Sequence, residues 1–188
     1  KQFYLRNVKF EGNTVYPEEI LVKRLNVVKG EPYDVERFDK NLNANEDQTD
    51  VSSLYMDNGY LSFQSQKEEK KIGEDSVDIT VRVFEKDRFT IRRVEITGNT
   101  KTKDKVIRRE LYTRPGDYFN RSAIIRSVRA LGVLNYFNPE SIGRDLKVNP
   151  VDNTRVDVAY KVEERSTDTF NASVGIAGSL GLTGSVGV

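Results

Sequence analysis

The sequence contains no cysteine, no histidine and no tryptophan. Without cysteine there can be no disulfide, thiolate metal site or cysteine nucleophile. Without histidine the chain has neither the commonest general base nor the commonest metal ligand. Serine and threonine are frequent, but no base stands beside them in the sequence. We therefore expect no cofactor and no enzymatic activity, while a metal site made only of carboxylates remains an alternative, although no segment has EF-hand spacing.

Long hydrophobic runs are also missing. No stretch of about 18 apolar residues occurs, so the sequence predicts no transmembrane helix. The chain begins at Lys1 without a methionine or a signal segment. We expect it to be a fragment of a longer protein from which any targeting segment is absent.

Charge is distributed unevenly along the chain, although the formal net charge is only +1. Residues 1–88 carry a net charge of −4 and residues 89–165 a net charge of +6. After residue 165 the only charged side chain is Asp168. The three parts therefore favour different surroundings.

An internal repeat organises the sequence. Residues 3–14 align without a gap with residues 89–100, at an offset of 86 residues. Both segments contain a strand-like start and end in Gly-Asn-Thr, a turn sequence that tolerates positive φ. Both repeats close with an alternating run, at 77–83 and at 156–162. A repeat of this length indicates two copies of one structural unit.

Each repeat predicts an α+β unit of the order β-α-α-β-β, with two helices covering one face of a three-stranded sheet. We place the units at 1–87 and 88–166, and a third segment at 167–188. In the first unit the polar stretch 41–50 interrupts the second helix and is expected to be a loop insertion. The junction around residues 85–88 is short, which predicts a limited range of angles between the units.

A three-stranded sheet has two edges, and an exposed edge can bind an extended peptide by β-augmentation. We expect the second strand of each unit, at 60–67 and 141–148, to be this edge. The alternative is an ordinary edge protected by charge, from Lys67, Arg144 and Lys147. The candidate strand-binding residues are Tyr60, Leu61, Ser62, Phe63, Gln64, Ser141, Ile142, Arg144, Leu146 and Val148.

The last segment alternates between apolar and small polar residues from residue 170 onward. This parity is typical of membrane barrel strands, which have one face in lipid and one in the lumen. We expect a first barrel strand over 169–177, followed by a turn and most of a second strand. Glycines weaken this strand, so its residues Phe170, Ala172, Val174 and Ile176 are candidates for a seam that opens towards another strand. A glycine-rich linker is the alternative.

Arginines are concentrated in the predicted helices of the second unit. A solvated face, contact with an acidic partner or anionic lipid headgroups, and nucleic-acid binding are the three interpretations. Nucleic acid is disfavoured because the sheet lacks clustered aromatic residues and the whole chain is nearly neutral. The residues concerned are Arg108, Arg109, Arg114, Arg121, Arg126 and Arg129.

Several motifs in this order resemble a known family. They are the repeated Gly-Asn-Thr turn, Asn58-Gly59-Tyr60, the closing segment 156–165 and Gly-Leu-Thr-Gly at 181–184. Together they resemble two polypeptide-transport-associated (POTRA) modules and the first barrel strands of the Omp85 family. The polar insertion at 41–50 departs from the family pattern.

The resemblance implies a protein of the outer membrane whose modules lie in the periplasm and which uses no cofactor. Its implied partners are unfolded outer-membrane proteins, accessory assembly lipoproteins and outer-membrane lipid, with no nucleic acid. Unfolded clients would pair with a module edge or with the barrel seam, and the protein would promote their folding and insertion. The alternatives are the POTRA region of a secretion pore and a soluble POTRA scaffold.

Overall fold

The computed structural model describes residues 2–166, 171–177 and 181–187. Its elements, in chain order, are β1 (Tyr4–Glu11), α1 (Glu18–Leu25), α2 (Val35–Asn43), α3 (Val51–Met56), β2 (Gln64–Ile72), β3 (Ser76–Phe84), β4 (Thr90–Thr97), α4 (Asp104–Arg108), α5 (Arg121–Val133), α6 (Pro139–Arg144), β5 (Lys147–Pro150), β6 (Arg155–Lys161), β7 (Asn171–Ala177) and β8 (Gly181–Gly187).

The repeat folds into two α+β modules, each with its own three-stranded sheet, as the sequence predicts. The strand orders are β1-β3-β2 and β4-β6-β5. In each sheet the first strand runs parallel to the central third strand, and the second strand runs antiparallel to it. Alternate residues of β3, from Val77 to Val83, are buried against apolar side chains of the helices, including Leu21 and Phe38. One sheet face therefore lies under the helices and the other faces solvent.

The predicted strand at 60–67 was wrong in its position, because β2 begins only at Gln64 and continues to Ile72. The preceding aromatic residues form a compact turn after α3, in which the Tyr60 N–H donates to the Tyr55 carbonyl at 3.1 Å. Phe63 stacks on Tyr55 with 4.1 Å between ring centroids and belongs to the core. Packing rather than strand pairing explains this apolar pattern. Tyr60 and Phe63 pack around Tyr55, and Leu61 packs against the core of the second module.

The predicted strand at 141–148 was also wrong over most of its length. Residues Ser141, Ile142 and Arg144 lie in α6, Leu146 precedes the strand, and only Lys147–Pro150 form β5. The Asn138 side chain accepts a hydrogen bond from the Glu140 N–H, and Pro139 occupies the first helical turn. This start signal favours a helix. Each module thus has three helices rather than the two expected.

Side-chain caps mark the starts of α5 and α3. Asn120 caps α5 by accepting a hydrogen bond from the Ala123 N–H at 2.7 Å. In the first module α2 extends to Asn43, so the loop within the polar insertion covers only residues 44–50. The Asp50 carboxylate ends this loop by capping α3 through the Ser53 N–H at 2.8 Å.

The Gly-Asn-Thr turns are built in the same way in both modules. Gly12 and Gly98 have φ values of +85° and +88°, and a Cβ atom at Gly98 would lie 1.9 Å from the Val162 carbonyl oxygen. A glutamate after the third strand then binds the turn. Glu164 accepts hydrogen bonds from the Thr100 hydroxyl and from the backbone N–H groups of Lys101 and Thr102.

The corresponding glutamate of the first module is Glu85, which accepts from the Thr14 hydroxyl and from the N–H groups of Thr14 and Val15. Burial raises the pKa of Glu85, but these hydrogen bonds outweigh burial and lower it overall. At Glu164 the hydrogen bonds from Thr100 and Thr102 lower the pKa to about 2. Both turns are therefore held by a carboxylate that stays ionised in mildly acidic solution.

A second repeated contact lies at a bulge in the first strand. The register against the central strand shifts between Leu5 and Asn7, and again between Ile91 and Arg93. The intervening arginine, Arg6 or Arg92, donates through Nε and Nη2 to both oxygens of an aspartate on the central strand, Asp78 or Asp157. The arginine lowers the pKa of that aspartate in each case.

The last two described strands form an antiparallel pair. Its register pairs Ala172 with Val186 and Ile176 with Leu182, and pairs Ser173 with Ser185. Phe170, one of the four predicted seam residues, lies outside the described residues. None of the described helices has the length and apolar character required to cross a membrane.

We predict that Gly98→Ala destabilises the second module more than Gly116→Ala does. Both glycines have positive φ, at +88° and +92°, but only Gly98 approaches backbone, since nothing lies within 4 Å of a Cβ at Gly116. The conformational cost, about 1–2 kcal/mol, applies to both, and Gly98→Ala adds overpacking of about 1–3 kcal/mol. Urea unfolding of the two variants measures the difference, and equal losses would show that the backbone relaxes around the methyl group.

We predict that Glu164→Gln reduces the loss of stability in acid. The folded-state pKa of Glu164 is lowered from 4.5 to about 2. Its contribution is therefore complete above about pH 5 and is lost as the pH falls from 4.5 towards 2. The thermal midpoint of the wild type should drop more between pH 5 and pH 2 than that of the variant. Glu163→Gln is the control, because the Glu163 side chain forms no hydrogen bond or ion pair among the described residues. A drop of the same size in Glu164→Gln and the wild type would contradict the role of this carboxylate.

Candidate functional site

The second strand of each module lies at an edge of its sheet, as predicted. β2 is the outer strand beside β3, and β5 is the outer strand beside β6. Within the described part of the chain, neither strand nor loop pairs with the outer side of β2. Its nine residues, Gln64–Ile72, therefore present main-chain donors and acceptors along one side.

The opposite edge of each sheet is partly covered. The Leu5 N–H donates to the Glu31 carbonyl at 3.0 Å, and the Leu5 carbonyl accepts from the Gly30 N–H at 2.7 Å. In the second module the Ile91 N–H donates to the Asp117 carbonyl at 2.8 Å, and the Ile91 carbonyl accepts from the Gly116 N–H at 2.7 Å. The start of the first strand is therefore already paired with a loop of its own module.

The β2 edge carries many charges. Lys67 is the residue that packs under α2, where its Nζ lies 2.6 Å from Asp39 and 2.9 Å from Glu69, and 5.4 Å from the centre of the Phe38 ring. Burial lowers the pKa of Lys67, but its ion pairs and hydrogen bonds outweigh this and raise it overall. A charged residue on the inner face of an edge strand limits indiscriminate pairing.

The β5 edge is much shorter. It has four residues and ends at Pro150, which has no N–H group to donate. Arg144, which was expected to protect this edge, instead lies in α6 and pairs with Asp145 at 3.0 Å. The two modules thus differ in the length of edge strand available to an extended peptide, which is nine residues in β2 and four in β5.

Only two of the ten candidate strand-binding residues lie on an edge strand, Gln64 on β2 and Val148 on β5. The others belong to the turn before β2, to α6 or to the segment before β5. Among them, Leu61 packs against the core of the second module. The second strands thus lie at sheet edges, but most of the ten residues selected from the sequence lie outside these strands, and their role in strand binding stays a prediction.

A contact between the modules was missed by sequence reasoning. The Asp57 carboxylate, at the end of α3, accepts hydrogen bonds from the Ser122 N–H at 2.8 Å and from the Ser122 hydroxyl at 2.6 Å. The Asn120 side chain donates to the Asp57 carbonyl at 2.9 Å. A carboxylate of the first module therefore lies at the start of α5 in the second, where the helix dipole favours negative charge.

The neighbouring Asn58-Gly59-Tyr60 motif takes part in the same contact. The Arg88 Nε donates to the Asn58 carbonyl at 2.6 Å, and the Phe89 N–H donates to the Gly59 carbonyl at 2.8 Å. A Cβ at Gly59 would lie 2.7 Å from the Arg88 side chain. The sequence placed the junction at residues 85–88 and did not connect this motif with it, although its glycine allows the close approach of the two modules.

Apolar packing completes the junction. Met56 and Leu61 of the first module pack against the core of the second. The Arg121 Nη1 lies 3.8 Å from the Met56 sulfur, and the Arg88 guanidinium lies 3.4 Å from the centre of the Tyr118 ring. The junction therefore combines hydrogen bonds, a cation–π contact and buried apolar surface.

The six arginines of the predicted basic patch have different surroundings. Arg108 pairs with Asp104, Arg109 with Glu110, and Arg121 reaches Met56. Arg126 lies over the Tyr112 ring at 5.0 Å. Arg114 and Arg129 are exposed, and neither has an acidic partner within 4.0 Å among the described residues. The six arginines thus differ in their contacts, and their role in binding an acidic partner or lipid stays a prediction.

Metal binding has no candidate group in the described residues. No three acidic side chains in residues 2–166, 171–177 and 181–187 come together in a way that could hold an ion.

Comparison with known families identifies the modules. The POTRA family model, described as surface antigen variable number repeat, matches residues 3–86 and again residues 89–165. Because these matches include most of the chain, the chain belongs to the POTRA family.

Individual proteins show the same relationship. A putative outer membrane protein assembly factor of Treponema pallidum is 30% identical over 179 residues, which are 95% of this chain and 20% of that protein. Outer membrane protein assembly factor BamA of Buchnera aphidicola is 24% identical over 179 residues, 93% of this chain and 27% of that protein. This chain thus spans about a fifth to a quarter of the length of these relatives.

A solved structure shares the fold. The structure of BamA from Haemophilus ducreyi lacking POTRA domains 1–3 matches 99% of this chain and 34% of that chain, with a TM-score of 0.71 at 23% identity. Together with the sequence matches, which include BamA, it confirms the expected resemblance to the Omp85 family.

We predict that Asp57→Ala uncouples the two modules. The variant removes both Ser122 hydrogen bonds, so the modules should tumble with separate and shorter rotational correlation times in ¹⁵N relaxation measurements. Asp152→Ala is the matched control, because Asp152 accepts from Thr154 and Arg155 within a single hairpin. It should leave the tumbling of the two modules coupled. Unchanged, shared tumbling in Asp57→Ala would show that the other hydrogen bonds and the apolar packing hold the junction without this carboxylate.

Proposed function

We propose that this chain is the periplasmic, strand-binding part of an outer-membrane protein assembly factor, which receives unfolded barrel proteins and promotes their folding and insertion. The observation that carries the proposal is the uncovered outer side of β2 over nine residues. The names of the relatives, as outer membrane protein assembly factors, support it.

In this proposal a client segment adds to β2 as a further strand. Main-chain hydrogen bonds do not depend on client sequence, which suits a factor that receives many different barrel proteins. The charged residues of β2 keep the edge soluble and limit indiscriminate pairing, while the main-chain donors and acceptors on its outer side stay available to a client strand. The shorter β5 edge, ending at Pro150, is the weaker of the two edges proposed.

The strand pair β7–β8 is proposed to be the beginning of a membrane barrel that continues beyond this chain. Its register pairs Ala172 with Val186 and Ile176 with Leu182, so that apolar residues lie opposite apolar residues at these positions. A barrel strand requires such a division between its two faces. The residues Phe170, Ala172, Val174 and Ile176 remain proposed as a seam at which a client strand could pair.

In this proposal the units at 1–87 and 88–166 lie in the periplasm, and the segment 167–188 lies in the outer membrane. Accessory assembly lipoproteins and outer-membrane lipid are the proposed partners of the second module. Its exposed Arg114 and Arg129 are suited to acidic side chains or anionic headgroups.

We predict that an unfolded barrel-strand peptide binds along β2 through its main chain. The probe is a blocked nine-residue peptide of alternating valine and threonine. In NMR titration with the full chain, the largest shifts should fall on the amides of Gln64–Ile72. Peptides N-methylated at alternate residues lose the donors of one edge, so methylation along the pairing edge should weaken binding at least tenfold (about 1.4 kcal/mol).

Methylation along the other edge of the peptide is the matched control and should change the affinity little. Equal effects of the two methylation patterns would contradict main-chain pairing. Shifts confined to the helices, with none in β2, would overturn the assignment of this edge.

A further inference from the structure

A groove lies on the other side of the first module, between α1 and the outer edge of β1. It has a volume of about 800 Å³ and is distinct from the β2 edge. The covering loop reaches β1 only as far as Leu5, so the part of the edge beyond the bulge lies along the floor of this groove. The residues that line it include Leu5, Val8, Glu18, Glu19, Val22 and Val27.

The second module shows how the equivalent place is filled. There, Arg108 of α4 donates through Nη1 to the carbonyl oxygen of Val94 on β4 at 3.2 Å. The same guanidinium donates through Nε to the Asp104 carboxylate at 2.6 Å. One arginine thus satisfies an outward-facing carbonyl of the strand edge and a carboxylate at the start of the helix.

The first module has both acceptors but no side-chain donor at the position equivalent to Arg108. At the repeat offset of 86, Val94 corresponds to Val8, Asp104 to Glu18, and Arg108 to Val22. The side chain of valine has no hydrogen-bond donor. Among residues 2–166, no side chain or loop donates to the Val8 carbonyl, and Glu18 forms no ion pair. The register of β1 on β3 is the same as that of β4 on β6, so the Val8 carbonyl faces outward like that of Val94.

We propose that this groove binds an arginine side chain carried by an extended segment of a protein partner. The guanidinium would occupy the place that Arg108 fills in the second module, between the Val8 carbonyl and the Glu18 carboxylate. The aliphatic part of the arginine and its neighbouring residues would contact Val22 and Val27. This interaction is independent of strand pairing at β2.

Charge favours a basic residue at this end of the groove. Glu18 and Glu19 begin α1, next to the vacant position. The two lysines of the groove, Lys23 and Lys29, line it as well, and the Lys29 Nζ is engaged with the Asn7 side chain at 2.7 Å. An arginine matches the two separate acceptors better than a lysine, because its planar fork presents donors in two fixed directions.

The test uses the full chain and three blocked nine-residue peptides of alternating valine and threonine, with arginine, citrulline or lysine at the centre. Citrulline keeps the shape of arginine but has no charge. Calorimetry should show that the citrulline peptide binds at least about tenfold more weakly than the arginine peptide, since charge-assisted hydrogen bonds are lost. In NMR spectra the arginine peptide should shift the amides of Val8 and Val22.

Val22→Arg should fill the groove from within, as Arg108 does, and abolish the advantage of the arginine peptide. Val133→Arg is the matched control, because Val133 is 78% exposed on α5 of the second module. It makes the same substitution far from the groove and should leave binding unchanged. If Val22→Arg does not fold, as judged by its thermal melt, Glu18→Gln provides the second variant and should weaken the arginine peptide at least severalfold.

The reciprocal variant, Arg108→Val, empties the equivalent place in the second module and should create a second binding site, visible as shifts at Val94. Equal affinities for the arginine and citrulline peptides would overturn the proposal, and so would wild-type binding by Val22→Arg. Shifts at β2 alone would overturn this groove while leaving the proposed strand pairing intact. Shifts at Val8 and Val22 without any at β2 would support this groove and overturn the proposed strand pairing at β2.

Discussion

The parallel pairing of the first and third strands determines the rest of each module. The second strand then joins the sheet on the other side of the third strand, which makes the third strand central. A parallel connection also requires a long crossover, which here supplies the three helices over one face. The Gly-Asn-Thr turn and its glutamate hold the end of this pairing, and the arginine–aspartate fork holds its bulge. Both contacts occur twice, so they belong to the repeat rather than to one module.

Much of this architecture could be predicted because its signals are local. The Gly-Asn-Thr turns, the alternation of β3 and β6, and the Asn120 cap all depend on neighbouring residues. β2 was misplaced because an edge strand with solvent beside it needs no apolar alternation, and Lys67–Lys71 resemble a solvated loop in sequence. The opposite error occurred at Tyr60–Phe63, where aromatic residues that favour strands pack instead around Tyr55.

The junction could not be predicted from local pattern at all. Asp57 and Ser122 are 65 residues apart, and neither residue type is unusual at the end or the start of a helix. Their pairing requires the orientation of both modules, which is set by Gly59 and by the apolar contacts of Met56 and Leu61. The same reasoning applies to the groove. Val22 looks like an ordinary helical residue in the sequence. Only the contact of Arg108 at the equivalent position of the second module shows what the first module is missing.

Comparison of the two copies suggests a division of labour within the proposed function. The second module is closed where the first is open, because β5 stops at Pro150 and Arg108 fills the groove beside β4. The first module has a nine-residue edge and a groove without its arginine. The second module also contacts the first at the end of α3, where Ser122 donates to Asp57. Within the proposed function, the first module provides the receiving surface, and the second module holds it through the contact of Ser122 with Asp57.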